Sequence, residues 1–258
     1  FRPLVSMSWG YDLIFDAPRG RLWQWAPRFT LRRSAALVGD SAIIRQLAVS
    51  YLKQAARIHE KASQPAEQAD VLDDLAEVYY WIEDFTQAST YYKDALEIYR
   101  QRGDRQGEAS CLRSLGDVHL PLAEYQLSER YYERALELYR SLRSRLDMAV
   151  CLRSLGDVSR LQDNYLEAET KYKSALGMFR EMKDELGEAT CLQSLADNAL
   201  NQGQYDAALR RFEEAIEIYR KHGNLLGEGN CLRGLGDAYR IQGDYFTART
   251  FFEQALER

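Results

Sequence analysis

Four cysteines are the first residues whose type and spacing suggest chemistry, because Cys111, Cys151, Cys191 and Cys231 stand 40 residues apart. Thiolates bind zinc, but zinc sites typically use pairs of cysteines two residues apart. Equivalent positions on packed helices would lie roughly 8–10 Å apart, beyond the ~7 Å Cα separation that a disulfide tolerates. We therefore interpret the four as small buried thiols in a reducing compartment and predict no metal site.

The histidines do not form a catalytic group either. His59, His119 and His222 stand at unrelated positions, and no Ser, Cys or Asp lies at a plausible catalytic spacing from them. No phosphate loop of the Gly-x-x-x-x-Gly-Lys type occurs, and Gly227-Glu228-Gly229 has no strand before it. We predict a protein that is not an enzyme and has no cofactor.

The composition limits the partners. The chain of 258 residues is 46% hydrophobic and 28% charged, so it can bury a core. Its 34 basic and 39 acidic residues are interspersed, without the basic stripe that nucleic acid or an anionic membrane would require. No apolar run approaches the ~20 residues of a membrane span. With no signal-like segment after Phe1, we expect a cytoplasmic protein, and we expect the natural chain to continue beyond Arg258.

The cysteines mark an internal repeat. Each opens a copy of one phrase: CLRSLGDVH, CLRSLGDVS, CLQSLADNA and CLRGLGDAY, with a weaker copy, VLDDLAEVY, beginning at Val71. Helical spacing of i, i+3, i+4 and i+7 relates Leu112, Leu115, Gly116 and His119. A second helical stripe follows at Tyr125, Ser128, Tyr132, Ala135, Leu136 and Tyr139. Each unit is therefore predicted to be two antiparallel helices.

Turn residues recur with the same period. Good N-cap residues stand at Asp104, Ser144, Asp184 and Asn224. Just before two of them, Gly103 and Gly223 suit the left-handed position that ends a helix. Small residues that would let an aromatic ring from the second helix approach stand at Gly116, Gly156, Ala196 and Gly236.

These units resemble the tetratricopeptide repeat family over residues 65–258. The final unit matches the family pattern at Leu232, Leu235-Gly236, Tyr239, Gly243, Tyr245, Ala248, Phe252 and Ala255-Leu256. The units are 40 residues long rather than about 34, and the helix-ending proline is replaced by Arg100, Arg140, Arg180 and Arg220. In both respects the units resemble the 40-residue variety of the family, which occurs in cell-polarity adaptors and in the sensor regions of large signalling NTPases. The resemblance implies an all-α, right-handed superhelical solenoid of antiparallel helix pairs.

We predict repeat units at 65–103, 104–143, 144–183, 184–223 and 224–258, preceded by a degenerate repeat over 30–64. Residues 1–29 do not fit the period and are rich in aromatic residues. They are predicted to form either an irregular cap or a segment that lies in the groove. Alternation over Tyr11–Phe15 and Arg21–Trp25 suggests a β-hairpin. The C-terminal end has no polar cap, so we predict exposed apolar surface there.

The resemblance also implies where a partner would bind, since the first helices of such arrays line a concave groove that holds a peptide. Carried onto this sequence, the groove positions are Asp73, Glu77, Tyr80, Trp81, Arg113, Asp117, Arg153, Asp157, Arg160, Gln193, Asp197, Arg233, Asp237 and Arg240. Arginine can form two parallel hydrogen bonds to a carboxylate, and aspartate can accept hydrogen bonds from backbone or basic donors of a peptide. Alternatively, Arg113 and Asp117, four apart on one helix, pair with each other for about 0.2–0.5 kcal/mol, or an Arg–Asp ladder between repeats only sets their register.

The expected function is a non-catalytic scaffold, with a role in signalling, that binds a protein or peptide and neither nucleic acid nor membrane. Two alternatives remain open: the ligand-sensing region of a larger signalling NTPase, and an oligomerisation module or structural spacer. Self-association through the uncapped C-terminal end is a further expectation.

Overall fold

The computed structural model describes Val5–Met7, Tyr11–Leu13 and residues 42–258. Strands β1 (Val5–Met7) and β2 (Tyr11–Leu13) pair antiparallel, with Ser6 opposite Asp12. The predicted hairpin thus has a strand at Tyr11–Leu13, but its partner in the structure is the segment before it. The other predicted strand, 21–25, and the beginning of the predicted degenerate repeat, 30–41, lie outside the described residues.

Residues 42–258 form an all-α, right-handed superhelical solenoid, as the sequence predicted. Its helices are α1 Ala42–Lys61, α2 Pro65–Trp81, α3 Phe85–Arg102, α4 Arg105–His119, α5 Tyr125–Leu142, α6 Arg145–Leu161, α7 Tyr165–Met182, α8 Glu185–Asn201, α9 Tyr205–Lys221, α10 Leu225–Ile241 and α11 Tyr245–Leu256. Each helix packs mainly on the helix before it and the helix after it. We call α2, α4, α6, α8 and α10 the first helices, and α3, α5, α7, α9 and α11 the second helices.

Each of the helices α1 to α10 is followed by a residue in the left-handed region, and these residues recur every 20 positions from Ser63 to Gly243. Glycine occupies four of the ten: Gly103, Gly203, Gly223 and Gly243. The other six, which adopt this conformation at a cost because they carry a Cβ, are Ser63, Glu83, Ala123, Arg143, Asp163 and Lys183.

The predicted N-caps are formed at three of the four positions. Asp104, Asp184 and Asn224 each accept a hydrogen bond from the backbone N–H three residues later, at 2.9–3.0 Å. Ser144 does not accept such a bond, and its hydroxyl donates to Asp147 Oδ2 at 2.6 Å. Asp147 stands where the other units have glycine, so this turn alone among the four has a carboxylate at that position.

Glycines on the first helices make room for aromatic rings of the second helices. A Cβ added at Gly116 would lie 2.5 Å from Cε1 of Tyr132, and one added at Gly156 would lie 2.5 Å from Cε1 of Tyr172. Both tyrosines are fully buried. These rings therefore pack directly on the backbone of the neighbouring helix, as the small residues predicted.

The arginines that replace the family's proline join successive units. Arg100 and Glu108 pair at 2.8 Å across one turn, and the equivalent pairs Arg180–Glu188 and Arg220–Glu228 pair at 2.7 Å. Each pair connects the end of a second helix to the start of the next first helix. Arg140 has Met148 at the corresponding position, so this ion pair is missing at that junction.

The C-terminal end exposes a residue type that is buried in the other units. Leu256 is 88% exposed, whereas Leu136 at the same repeat position is 5% exposed. Helix α11 packs against α10, and within residues 42–258 no later helix covers Leu256. Within residues 42–258, no helix is both long and apolar enough to cross a membrane.

Candidate functional site

The first helices of the later units contact one another directly. Helix α6 contacts α8, and α8 contacts α10, in addition to the contacts between neighbours in sequence. Comparable contacts do not link successive second helices within residues 42–258, so these first helices lie on the inner side of the solenoid. We call the side chains that the row of first helices presents the first-helix groove, and all fourteen positions predicted from the sequence lie on these helices.

In the unit of α4 and α5, the groove residues pair with each other. Arg113 Nη1 lies 3.1 Å from Asp117 Oδ2, and the two side chains are 30% and 32% exposed. The second carboxylate oxygen of Asp117 accepts a hydrogen bond from the Tyr132 hydroxyl at 2.6 Å. Each charged side chain is thus half-buried and paired, but still reaches solvent.

The next unit repeats this arrangement. Arg153 and Asp157 pair at 2.8 Å, and Tyr172 donates to Asp157 at 2.7 Å. Each of these two units therefore has an Arg–Asp–Tyr triad built from both helices of the pair. The intrahelical pairing that the sequence allowed is present here, and a ligand would have to compete with it.

Burial raises the pKa of two carboxyl groups in this row. Burial raises the pKa of Asp117, although Arg113 and the hydrogen bond from Tyr132 oppose the rise. Burial also raises the pKa of Asp197 to about 6, opposed by Arg160 and reinforced by the negative charge of Asp157. Aspartates from successive first helices therefore lie close enough to interact, and they form a line along the groove.

The C-terminal part of the groove is its most accessible part. Arg240 is 53% exposed and pairs with Asp237 at 2.9 Å. Arg233 is exposed and forms no ion pair with a residue of the described range. An approaching ligand would therefore find guanidinium groups available here at the lowest cost of desolvation.

The N-terminal part differs from the expectation of exposed side chains. Asp73 is only 8% exposed and accepts a hydrogen bond from the Cys111 thiol at 3.4 Å. Glu77 and Tyr80 are half-buried, whereas Trp81 is 55% exposed. Among these four side chains, Trp81 alone has a large accessible surface. Asp73 is buried because it faces Cys111 of the next unit.

The cysteines are free and buried. Burial raises the pKa of Cys151, Cys191 and Cys231 to about 12, so these thiols stay protonated at neutral pH. Within the described residues, no group of three or more His, Cys, Asp or Glu side chains could hold a metal ion.

Sequence reasoning missed the tyrosine hydroxyls as partners of the groove aspartates. Tyr132 and Tyr172 were assigned to packing alone, and both also donate to an aspartate 15 residues earlier. The available signal was the recurrence of Asp and Tyr at this separation in two units and its loss at Phe212 and Phe252.

Comparison with known families gives one match. A sequence model described as tetratricopeptide repeat matches residues 67–141, 108–181, 147–221 and 188–258, which together run without a break from 67 to 258. A comparison with curated proteins gave no match.

Solved structures with similar folds share little sequence with this chain. BtubC (BKLC) from P. vanneervenii is 17% identical with a TM-score of 0.69, over 84% of this chain and 91% of that one. Aspartyl phosphate phosphatase F from Bacillus subtilis is 14% identical with a TM-score of 0.70, over 89% and 69%. A signal transduction ATPase with numerous domains and a tetratricopeptide repeat sensor, from Pyrococcus horikoshii, is 18% identical with a TM-score of 0.65, over 88% and 36%. At 14–18% sequence identity, these similarities show a shared fold and nothing further.

Proposed function

Because this chain belongs to the tetratricopeptide repeat family, we propose that it is a scaffold that binds a protein or peptide in its first-helix groove. The observation that carries the proposal is the line of charged side chains along successive first helices. Asp117, Asp157, Asp197 and Asp237 interact electrostatically from one unit to the next. A surface of this kind matches an elongated ligand better than a compact one.

The groove has the chemistry to hold a peptide. Its arginines can each make two parallel hydrogen bonds to a carboxylate, and its aspartates can accept from main-chain or basic donors. Arg233 and Arg240 are exposed, while Arg153 and Asp157 are 26% and 20% exposed. We propose that the exposed arginines make the first contacts and that the half-buried pairs determine specificity.

We further propose that the chain has no catalytic activity of its own and works in the cytoplasm. Two histidines face carboxylates, His119 with Glu124 at 2.5 Å and His222 with Glu185 at 2.7 Å. The buried thiols are poor nucleophiles because their raised pKa keeps them protonated. Free thiols are also the form that a reducing compartment maintains.

Selection of peptides tests the groove. A phage-displayed library of random peptides is panned against the chain, and the selected peptides are measured against Arg233→Ala/Arg240→Ala. Loss of these exposed guanidinium groups is expected to weaken binding about tenfold or more. The matched control is Arg130→Ala/Arg210→Ala, which removes two exposed arginines from second helices. Selection of no peptide, or equal weakening by the control, would contradict the proposal.

Self-association is the second candidate function, favoured by the exposure of Leu256 in place of a buried leucine. We propose that two copies meet through the open face of α11. Leu256→Glu is expected to yield a monomer in analytical ultracentrifugation. Phe246→Glu is the control, because Phe246 is 85% exposed at a position where Leu166, within the array, is also 78% exposed. A wild-type chain that sediments as a monomer at all concentrations would exclude this candidate.

The sensor region of a larger signalling NTPase remains the alternative for the array as a whole. The name of the Pyrococcus protein describes such an arrangement for that protein. We propose to test it with the complete gene: an encoded nucleotide-binding module beside this array supports the sensor role, and its absence argues against it.

A further inference from the structure

One unit of the array lacks the internal partners of its groove aspartate. Asp117 and Asp157 each have an arginine four residues earlier on the same helix and a tyrosine hydroxyl from the second helix. In the unit of α8 and α9, Gln193 replaces the arginine and Phe212 replaces the tyrosine. Within residues 42–258, Asp197 therefore forms neither an ion pair nor a hydrogen bond.

The ring at position 212 has no hydroxyl to donate to Asp197. Ala196 stands where Gly116 and Gly156 make room for a ring, and the ring of Phe212 packs against Gly234 of the next first helix. The Cζ atom of Phe212 is its atom nearest to a Cβ added at Gly234.

The cation that acts most strongly on Asp197 also has an unused donor. Arg160 of α6 is the cation with the largest electrostatic effect on Asp197. Its side chain interacts with the Tyr172 hydroxyl, but its buried Nε atom has no hydrogen-bond partner in the described part of the chain. Within residues 42–258 Arg160 and Asp197 form no ion pair, so Arg160 has a donor, and Asp197 an acceptor, without a hydrogen-bond partner.

We propose that Arg160 and Asp197 together bind a main-chain amide of an extended peptide, with the peptide carbonyl accepting from Arg160 and the peptide N–H donating to Asp197. This assignment rests on the proposed function and identifies one contact within it. A ligand cation at this place would meet Arg160 and Arg233, and a ligand anion would meet Asp197, Asp157 and Asp237. A neutral dipole meets neither repulsion and satisfies both groups.

The contact has a pH dependence. A peptide N–H stabilises the ionised carboxylate of Asp197, whose pKa is about 6 in the free protein. Binding therefore releases a proton near pH 6, and affinity falls as the pH drops below this value. The charged groups that face Asp197 are Arg160 and Asp157 from α6, and Arg233 and Asp237 from α10. Their charges also affect how the affinity for the peptide depends on pH.

The test measures whether a main-chain N–H of a bound peptide donates to Asp197. A peptide selected from the random phage library is resynthesised with one main-chain N–H at a time replaced by N–CH3. At one position, methylation is expected to weaken binding to the wild-type chain about tenfold. Gln193→Arg supplies the internal partner that Asp117 and Asp157 have, so the same methylation is expected to have little further effect on that variant. Asp197→Ala is expected to abolish the same effect.

Gln126→Arg is the matched control, since it makes the same exchange at an exposed position of a second helix; it should leave the methylation effect intact. An NMR titration that shows a lowered pKa of Asp197 in Gln193→Arg verifies that the new pair forms. If peptides bind but no methylated position couples to Asp197, or if a lysine or arginine side chain couples instead, this contact is refuted while the groove stands. If no peptide is selected at all, the proposed function fails.

Discussion

Tyr132 donates its hydroxyl to Asp117 at 2.6 Å, linking the second helix of a unit to a charged residue of its first helix. Tyr132 is fully buried, whereas the side chain of Asp117 is 32% exposed. The hydrogen bond thus fixes an accessible carboxylate from within the core. This residue pair therefore contributes both to the stability of the fold and to the charge of the groove.

Tyr132→Phe is expected to lower the free energy of unfolding by about 1–2 kcal/mol, because a half-buried carboxylate loses its donor. The same hydrogen bond lowers the pKa of Asp117, so its loss should raise that pKa further. Urea unfolding and an NMR titration measure the two effects. Tyr131→Phe is the control, since no hydrogen bond from its hydroxyl to a described residue is found. Equal destabilisation by both variants would contradict the role of the hydrogen bond.

Two glycines in helices are expected to respond to alanine with opposite signs. Gly116→Ala places a Cβ against Tyr132 and should destabilise the chain by about 1–3 kcal/mol. Gly177 lies in α7 with no atom within 4 Å of an added Cβ. Gly177→Ala should therefore stabilise by about 0.5–1 kcal/mol through helix propensity. Thermal unfolding of both variants decides the matter, and a shift of the same sign in both would show that the contact with Tyr132 is unimportant.

The turns at 20-residue intervals predict a stabilising glycine. Ala123 has φ of 57° and an exposed side chain, so Ala123→Gly removes strain without losing buried contacts. The expected gain is about 1 kcal/mol. Gly103→Ala is the reciprocal change at φ of 69°, where nothing lies near an added Cβ, and it should cost a similar amount. Chemical denaturation measures both, and a loss of stability in Ala123→Gly would contradict the strain argument.

The pKa of Asp197 predicts a pH-dependent stability. Its value of about 6 in the folded chain exceeds its ordinary value of 3.8, so the folded state binds the proton more tightly. Between about pH 4 and pH 6, the folded chain therefore loses stability as the pH rises. Asp197→Asn should remove this slope and stabilise the chain at pH 7 by on the order of 1 kcal/mol.

The matched change for this prediction is Asp157→Asn. Asp157 is paired with Arg153 and Tyr172, so the loss of its charge should destabilise rather than stabilise at pH 7. Unfolding curves for both variants across pH 4–8 provide the measurement. Stabilisation by both, or by neither, would show that the missing partners of Asp197 are not the cause.

The sequence by itself determined the repeat, because helix pairs that stack on one another need the same residue types at the same positions in every unit. The recurring cysteines, the apolar stripes and the small residues at Gly116 and Gly156 predicted the helix pairs and their close packing. The N-caps at Asp104 and Asp184 followed from local hydrogen bonding, which depends on few residues. Ser144 forms no cap, and this turn differs from the others by having Asp147 in place of glycine, with the Asp147 carboxylate accepting a hydrogen bond from the Ser144 hydroxyl.

Only the tertiary structure decided which groove side chains are accessible and which are already paired. Asp73 is buried against the next unit, and Asp117 is held by a tyrosine from another helix, and neither relationship follows from one helix face alone. The contrast between Asp157, with two partners, and Asp197, with none in residues 42–258, depends on side chains from two or three helices meeting at one point. Periodicity fixes the helices because it is local, but the environment of a charge depends on everything that surrounds it.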